Sequence, residues 1–243
     1  MCHIIARSNR INTPMNQGSV SASQVPASVR SGQSLLQTIP LFAGLPVGQI
    51  EQLARMAIPR KVARHTTIVR AGESTDSLFV LVTGSAKVLN RDDEGREVIL
   101  TLLSAGECFG EMGLIDGSPR SADVIANEAC QLLVIAKREF TKALADNFDL
   151  CLSIMKSLVL RLREANRKIE SLALMDVYGR VAKLLLDFSV EEHGVRVIRR
   201  KVSKQDMAKM VGASREMVSR VMKDLDSSGY IRVEDGRIVL KVD

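Results

Sequence analysis

Glycines recur at positions 72, 84, 95, 106 and 117, eleven or twelve residues apart, with short aliphatic runs between them. Leu78–Val82, Ala86–Leu89 and Val98–Leu103 are the runs, and Cys130–Ile135 adds another further on. Evenly spaced short strands punctuated by turn residues restrict this stretch to an antiparallel barrel or roll. Asp92-Asp93-Glu94-Gly95 has the composition of a hairpin tip. Ahead of the strands, Leu41, Phe42, Leu45, Ile50, Leu53 and Met56 suggest short helices closing one end. With 6 Phe, 2 Tyr and no Trp in 243 residues, the cores must be aliphatic.

Inside the β-rich region lies Phe109-Gly-Glu-Met-Gly-Leu-Ile-Asp-Gly-Ser-Pro-Arg-Ser-Ala122. Gly110 lets the main chain approach a ligand where a Cβ would intrude. Glu111 can accept hydrogen bonds from a sugar hydroxyl, and Arg120 can pair with a phosphate beside Ser121 and backbone N–H groups. A carboxylate for ribose and a guanidinium for phosphate on one short turn specify a cyclic nucleotide.

From about Asp149 the period changes. Cys151, Met155, Leu158, Leu162, Ala165, Ile169 and Leu172 alternate by four and three, with Arg161, Arg163, Glu164, Arg167, Lys168 and Glu170 around them. A strict 3.5-residue period fits a two-stranded coiled coil better than a stripe facing a globular core, and predicts a parallel homodimer. Val177–Phe188 then reads as an amphipathic helix, with Gly194 in the loop after it. Two short helices follow around Gly212, the first started by a capping-box-like Ser203/Asp206 pair and the second by Ser214, which spells a helix-turn-helix. Val218, Val221 and Leu225 share the face to be buried, while Arg215, Glu216, Ser219 and Arg220 share the opposite one. Arg can bind guanine O6 and N7, and Glu can accept from the cytosine N4 amine, so this face is suited to reading base edges in the major groove of double-stranded DNA. Tyr230–Leu240 alternates about Asp235-Gly236 as a β-hairpin wing.

The Gly110–Ala122 segment resembles the phosphate-binding cassette of cyclic-nucleotide-binding domains, and Arg215, Glu216 and Arg220 match the base-reading positions of the catabolite-activator branch of the CRP/FNR transcription factors. The resemblance covers nearly all of residues 40–243. It implies an α+β fold: an antiparallel β-roll (cyclic-nucleotide-binding jelly roll), a long dimerisation helix and a C-terminal winged helix-turn-helix. The expected division is an arm over 1–37, the roll over 38–146, the dimerisation helix and hinge over 147–176 and the DNA-binding module over 177–243. Implied ligand contacts fall on Gly110, Glu111, Met112, Arg120, Ser121, Ala122 and Asn166. Implied DNA contacts are Arg215, Glu216 and Arg220 on bases, with Lys204, Gln205, Ser214 and Ser219 on phosphates. The operator is expected to be a palindrome of TGTGA-like half-sites, and RNA polymerase is an expected partner. The chain departs from the cAMP-responsive branch where that branch reads adenine with a Thr-Ser pair. Those positions here are Ala165, which cannot hydrogen-bond a base, and Asn166, which can. Cyclic AMP is the leading ligand by family weight, with cyclic GMP and cyclic di-GMP as alternatives, the last because Arg163, Arg167 and Lys168 add cationic groups. A regulatory subunit acting through protein contacts and a ligand-independent DNA-binding regulator are the rival functions.

Charge distribution agrees with DNA at the C-terminal end. Residues 1–37 carry three Arg and no acids, 38–177 carry 17 basic and 18 acidic side chains, and 178–243 carry 14 and 10. The first 37 residues have no helical or strand periodicity and read as a disordered arm. Cys2, Cys108, Cys130 and Cys151 are too scattered for a metal site, and His3, His65 and His193 are isolated. Neither an iron–sulfur cluster nor a haem has a convincing ligand set. No run approaches the roughly 18 apolar residues of a membrane helix, and no signal region stands at the start. These features lead to an expectation of a cytoplasmic protein with no metal and no membrane partner. The absence of a catalytic array outside the cassette argues against an enzyme.

Overall fold

The computed structural model describes residues 36–37, 39–42, 45–199, 202–234 and 237–241. The arm expected over 1–37, with Cys2 and His3, therefore lies outside the described residues apart from its last two. Of these, Leu36 is wholly buried in one core with Ile39 and Phe42.

A 3-10 turn, Pro40–Phe42, and helix α1, Val47–Met56, precede eight strands: β1 Ile58–Val62, β2 Thr67–Val69, β3 Ser77–Thr83, β4 Ser85–Arg91, β5 Glu97–Ser104, β6 Cys108–Phe109, β7 Asp123–Ala126 and β8 Cys130–Ala136. They form two four-stranded antiparallel sheets ordered β1-β8-β3-β6 and β2-β7-β4-β5. Strand periodicity separates two cores. Leu78 and Val80 of β3, Cys108 of β6 and Leu133 and Ile135 of β8 face the helices. Their neighbours Phe79, Leu81, Phe109, Cys130 and Leu132 face the inside of the roll. A strand buried on both faces must be apolar throughout, hence the unbroken Leu78-Phe-Val-Leu81. The turn glycines 72, 84, 95, 106 and 117 all take positive φ, which only glycine adopts freely. The hairpin tip at 92–96 is closed by Asp92, whose Oδ1 accepts from the Glu94 and Arg96 amides at 3.1 and 2.8 Å.

Helix α2, Met112–Asp116, lies within the cassette turn, and α3, Lys137–Asp146, follows β8. Helix α4, Phe148–Leu174, begins at Asn147, whose side chain accepts from the Leu150 amide at 2.8 Å and donates to Gln49 Oε1 at 2.8 Å. It buries Leu150, Ile154 and Ser171 against its own chain. Met155, Leu162, Ile169 and Leu172 of the heptad seam stay exposed. Met175 is extended and breaks the helix, and Asp176 caps α5, Val177–Phe188, by accepting from the Gly179 amide at 2.8 Å.

The C-terminal module has a third core in which Val181 and Leu185 of α5 meet Met207, Ala208 and Val211 of α6, Lys204–Val211, and Val218, Val221 and Leu225 of α7, Arg215–Ser227. Its sheet is ordered β11-β12-β10-β9, from β9 Val190–Glu192, β10 Val195–Ile198, β11 Ile231–Glu234 and β12 Arg237–Leu240. Gly194 is therefore the turn of a hairpin rather than part of a plain loop. The Asp235-Gly236 turn lies outside the described residues. Ser214 caps α7 on the Met217 amide at 3.1 Å. Ser203 caps α6 on the Asp206 amide at 3.0 Å, but the reciprocal arm differs from a capping box. Asp206 takes the Ser203 hydroxyl at 2.7 Å rather than a backbone N–H, being one methylene shorter than Glu.

Candidate functional site

The cassette is built where β6 ends and β7 begins. Gly110 sits at φ +83°, and a Cβ there would come within 2.3 Å of Arg120 Nη1. The residue that crowds Gly110 is thus the cassette's own arginine. Arg120 is buried; it donates from Nη1 to the Gly110 carbonyl and from Nη2 to the Ser77 carbonyl, each at 2.8 Å, with Asp76 at 3.5 Å. Its Cζ lies 5.5 Å from the centroid of Phe79, which stacks on Phe109. Burial pushes the guanidinium below its ordinary value, and the carboxylates of Asp76, Glu111 and Glu73 oppose that shift. This is a charged donor fork held by two neutral carbonyls and, at longer range, by the exposed Asp76 carboxylate.

Glu111 is 6% exposed. Its Oε1 accepts from Arg161 Nη1 at 2.6 Å, while Oε2 is buried with no hydrogen-bond partner among the described residues. Arg161 also donates to the Cys108 carbonyl at 2.7 Å. Burial first, and the Glu111 charge next, push the Cys108 thiol up to about 12, so it stays protonated and inert. The cavity beside Glu111 is about 20 Å³, room for roughly one water. A buried carboxylate oxygen without a donor is costly, and a sugar hydroxyl is the kind of donor that it lacks. The cassette therefore brings together a guanidinium and a carboxylate oxygen that lacks a donor, with space beside Glu111 for about one water. Of the other expected contacts, Met112 and Ser121 are exposed, Ser121 Oγ standing 4.0 Å from Met112 Sδ, and Ala122 is buried.

In the C-terminal module Arg215, Glu216 and Arg220 are exposed on the first turns of α7, opposite the buried Val218 and Val221. The Glu216 carboxyl is held below its ordinary value, first by its own backbone N–H and then by the Ser214 hydroxyl. It is an ionised acceptor at neutral pH. Lys204 and Gln205 are exposed at the start of α6, and Lys204 Nζ reaches Ser219 Oγ at 3.1 Å. Both acceptor and donor groups are thus displayed at the N-terminal end of one helix, where base edges and phosphates meet a protein together.

Residues 59–147 match the cyclic nucleotide-binding domain family, and residues 179–242 match the Crp-like helix-turn-helix domain. A curated relative, the cAMP-activated global transcriptional regulator CRP of Pasteurella multocida, is 34% identical over 187 residues, 74% of this chain and 88% of the relative. The chain belongs to the CRP/FNR family. Another family member, the cAMP-activated global transcriptional regulator Vfr of Pseudomonas aeruginosa, is 35% identical over 188 residues, 74% of this chain and 88% of Vfr. Among solved structures, the c-di-GMP responsive global regulator CLP of Xanthomonas campestris superposes with a TM-score of 0.69 at 29% identity, covering 82% of this chain and all of that one.

In this CRP/FNR protein the sequence-expected residues form two separate groups. Gly110, Glu111 and Arg120 come together at the cassette. Ala165 and Asn166 lie exposed on α4, four and five residues past Arg161, about 6 to 7.5 Å along the axis. Lys168, expected among the cationic groups near the pocket, is instead engaged by the roll: its Nζ donates to the Leu100 carbonyl on the edge strand β5, and burial lowers its pKa. Arg161, which in the sequence stands only as a charge flanking the seam, is the residue that joins α4 to Glu111. A usable signal existed: Ile154, Leu158 and Arg161 fall at i, i+4 and i+7, one stripe that lines the Glu111 cavity.

Proposed function

We propose that this protein is a homodimeric, DNA-binding transcription regulator whose operator binding is controlled by a cyclic nucleotide. The observation that carries the reading is the pairing within one chain of an orphaned, buried Glu111 Oε2 beside an inward-held Arg120 with an exposed Arg215/Glu216/Arg220 reading face. Phosphate would draw Arg120, Ser121 and nearby amides, the ribose hydroxyl would satisfy Glu111 Oε2, and Arg161 would hold Oε1 in place. Gly110, Met112 and Ala122 would shape the floor, and Asn166 would face the base. The half-sites would be TGTGA-like, read by Arg215, Glu216 and Arg220, with Lys204, Gln205, Ser214 and Ser219 on phosphates. Two reading helices carried by a dimer stand about 34 Å apart on B-DNA. The exposed seam of α4 supports the dimer, and the family's role supports RNA polymerase as partner, a cytoplasmic location and a non-enzymatic activity.

Cyclic AMP is the leading ligand, in keeping with the names of the curated relatives. Cyclic di-GMP is the second reading, favoured by Ala165, which offers no base contact, and by the likeness to CLP. Switching a regulator from mostly off to mostly on needs about 5.5 kcal/mol of differential binding. Titration calorimetry with cyclic AMP, cyclic GMP and cyclic di-GMP, followed by gel shift on a TGTGA palindrome, tests the reading. Arg120→Ala should abolish the nucleotide response while the dimer persists. Undiminished nucleotide-dependent operator binding in that variant would remove the cassette from the mechanism.

A further inference from the structure

The C-terminal module is not merely tethered to the roll by α4; it is docked on the β4–β5 ribbon of its own chain through charges. Lys209 Nζ of α6 meets Glu97 Oε2 of β5 at 2.5 Å, and Asp206 Oδ1 of α6 meets Lys87 Nζ of β4 at 3.2 Å. The four side chains are 16–27% exposed, so both pairs are partly withdrawn from water, where charge attraction is stronger than at a surface. Residues 206 and 209 lie one turn apart on α6 and have opposite charges. Sliding the helix one turn along the ribbon would set like charges against each other, so the two pairs define one register.

Glu97 also links backwards. Its Oε1 accepts from Arg91 Nε and Nη2, each at 3.0 Å, and Arg91 Nη1 pairs with Asp123 Oδ2. Hydrogen bonds from Lys209 first, and from Arg91, hold the Glu97 carboxyl below its ordinary value. Asp123 is buried, follows directly on Arg120-Ser121-Ala122, and accepts from the Ala71 amide at 2.8 Å. The loop before it is sewn to the cassette as well, by Gly72 N–H to the Arg120 carbonyl at 2.8 Å and Arg120 N–H to the Glu73 carbonyl at 2.9 Å. Between the two ends the ribbon is continuously paired: β4 and β5 pair from Ser85/Ser104 to Arg91/Glu97 with one register shift at Val88/Leu89, and β4 pairs with β7 at Leu89/Asp123. On the far side Gly95–Val98 and Lys209 line the same groove as Arg215 and Glu216. A shift of α6 on β5 therefore moves the reading end of α7.

We propose that Asp123, Arg91, Glu97 and Lys209 form a charge-paired link from the cassette exit to the helix-turn-helix within one subunit. Glu97 and Lys209 act in it as positioning residues that pass the ligand state of the cassette to the reading helix. This inference rests on the function proposed above. When phosphate draws Arg120 away from the Gly110 and Ser77 carbonyls, the Ser121–Asp123 backbone moves with it. Asp123 then carries Arg91 and Glu97, and Lys209 follows. The route lies inside one subunit, in parallel with any change in the α4 pair.

The test is a double-mutant cycle in the full-length protein with Glu97→Gln, Lys209→Gln and the double variant, plus Lys209→Arg as the charge-conserving control. Fluorescence anisotropy on a TGTGA palindrome measures the gain in operator affinity produced by cyclic AMP, cyclic GMP or cyclic di-GMP. Each single variant should cut that gain by about fivefold or more. The double should lose no more than either single, and Lys209→Arg should keep the gain. An unchanged gain, or losses that multiply in the double variant, overturns the link. Hydrogen exchange without nucleotide or DNA is the second measurement. Glu97→Gln should speed exchange on α6 and along β4–β5 together, and unchanged protection on both surfaces overturns the docking. If the parent protein gains no operator affinity from any nucleotide, the proposed function fails. The exchange experiment, which uses neither ligand, still decides the docking on its own.

Discussion

At the scale of single residues, the cassette is held by contacts between Gly110 and Arg120 and by Ser77 and Arg161 from elsewhere in the chain. Gly110 is required twice over, by its φ of +83° and by the Arg120 guanidinium that fills the space a side chain would need. Gly110→Ala should cost about 1–3 kcal/mol through backbone strain and displace Arg120. A lowered urea midpoint together with weaker nucleotide binding by calorimetry checks this, and unchanged values in both would contradict it. Glycine, Glu, Arg and Ser were all legible in the sequence, because each side chain's chemistry is a local property. What could not be read was their partners. Arg120 faces Ser77 from 43 residues away, and Arg161 reaches Glu111 from 50 residues away. Neither distance has a signature in spacing.

At the scale of elements, the long helix was legible because its seam repeats every 3.5 residues, while α3 and the two-residue strand β6 were not. Helix α3 buries Phe140 alone, too little apolar pattern to separate from a loop. Strand β1 is exposed over four of its five residues, so alternation never shows. The seam of α4 makes a further prediction. Ile169 is 64% exposed although it sits at a seam position, so Ile169→Lys should split a dimer without unfolding the chain. Sedimentation velocity should show a monomer and circular dichroism an unchanged helix content. A dimer that survives would place the association surface elsewhere.

At the scale of the whole molecule, a dimer doubles every phosphate contact. Operator affinity should therefore fall steeply with salt, with a log–log slope near −0.9 per phosphate neutralised. Lys204→Ala should make that slope shallower by about two, one contact per subunit, while sequence preference stays the same. Anisotropy titrations at several salt concentrations measure the slope, and an unaltered slope would remove Lys204 from the DNA surface. The sequence by itself determined the roll, the seam, the helix-turn-helix and the chemistry of both functional faces. Each is written as a short-range pattern: a turn glycine every eleven or twelve residues, an apolar position every 3.5, a cap three residues before the amide it satisfies. Tertiary structure alone decided that α6 rests on β5 and that Lys209, Glu97, Arg91 and Asp123 stand in line. Those charges come from four elements spread over 119 residues, and isolated charges in a sequence look like any solvated surface. Only the fold brings opposite charges together, partly withdrawn from water, where their pairing can set how the two modules sit.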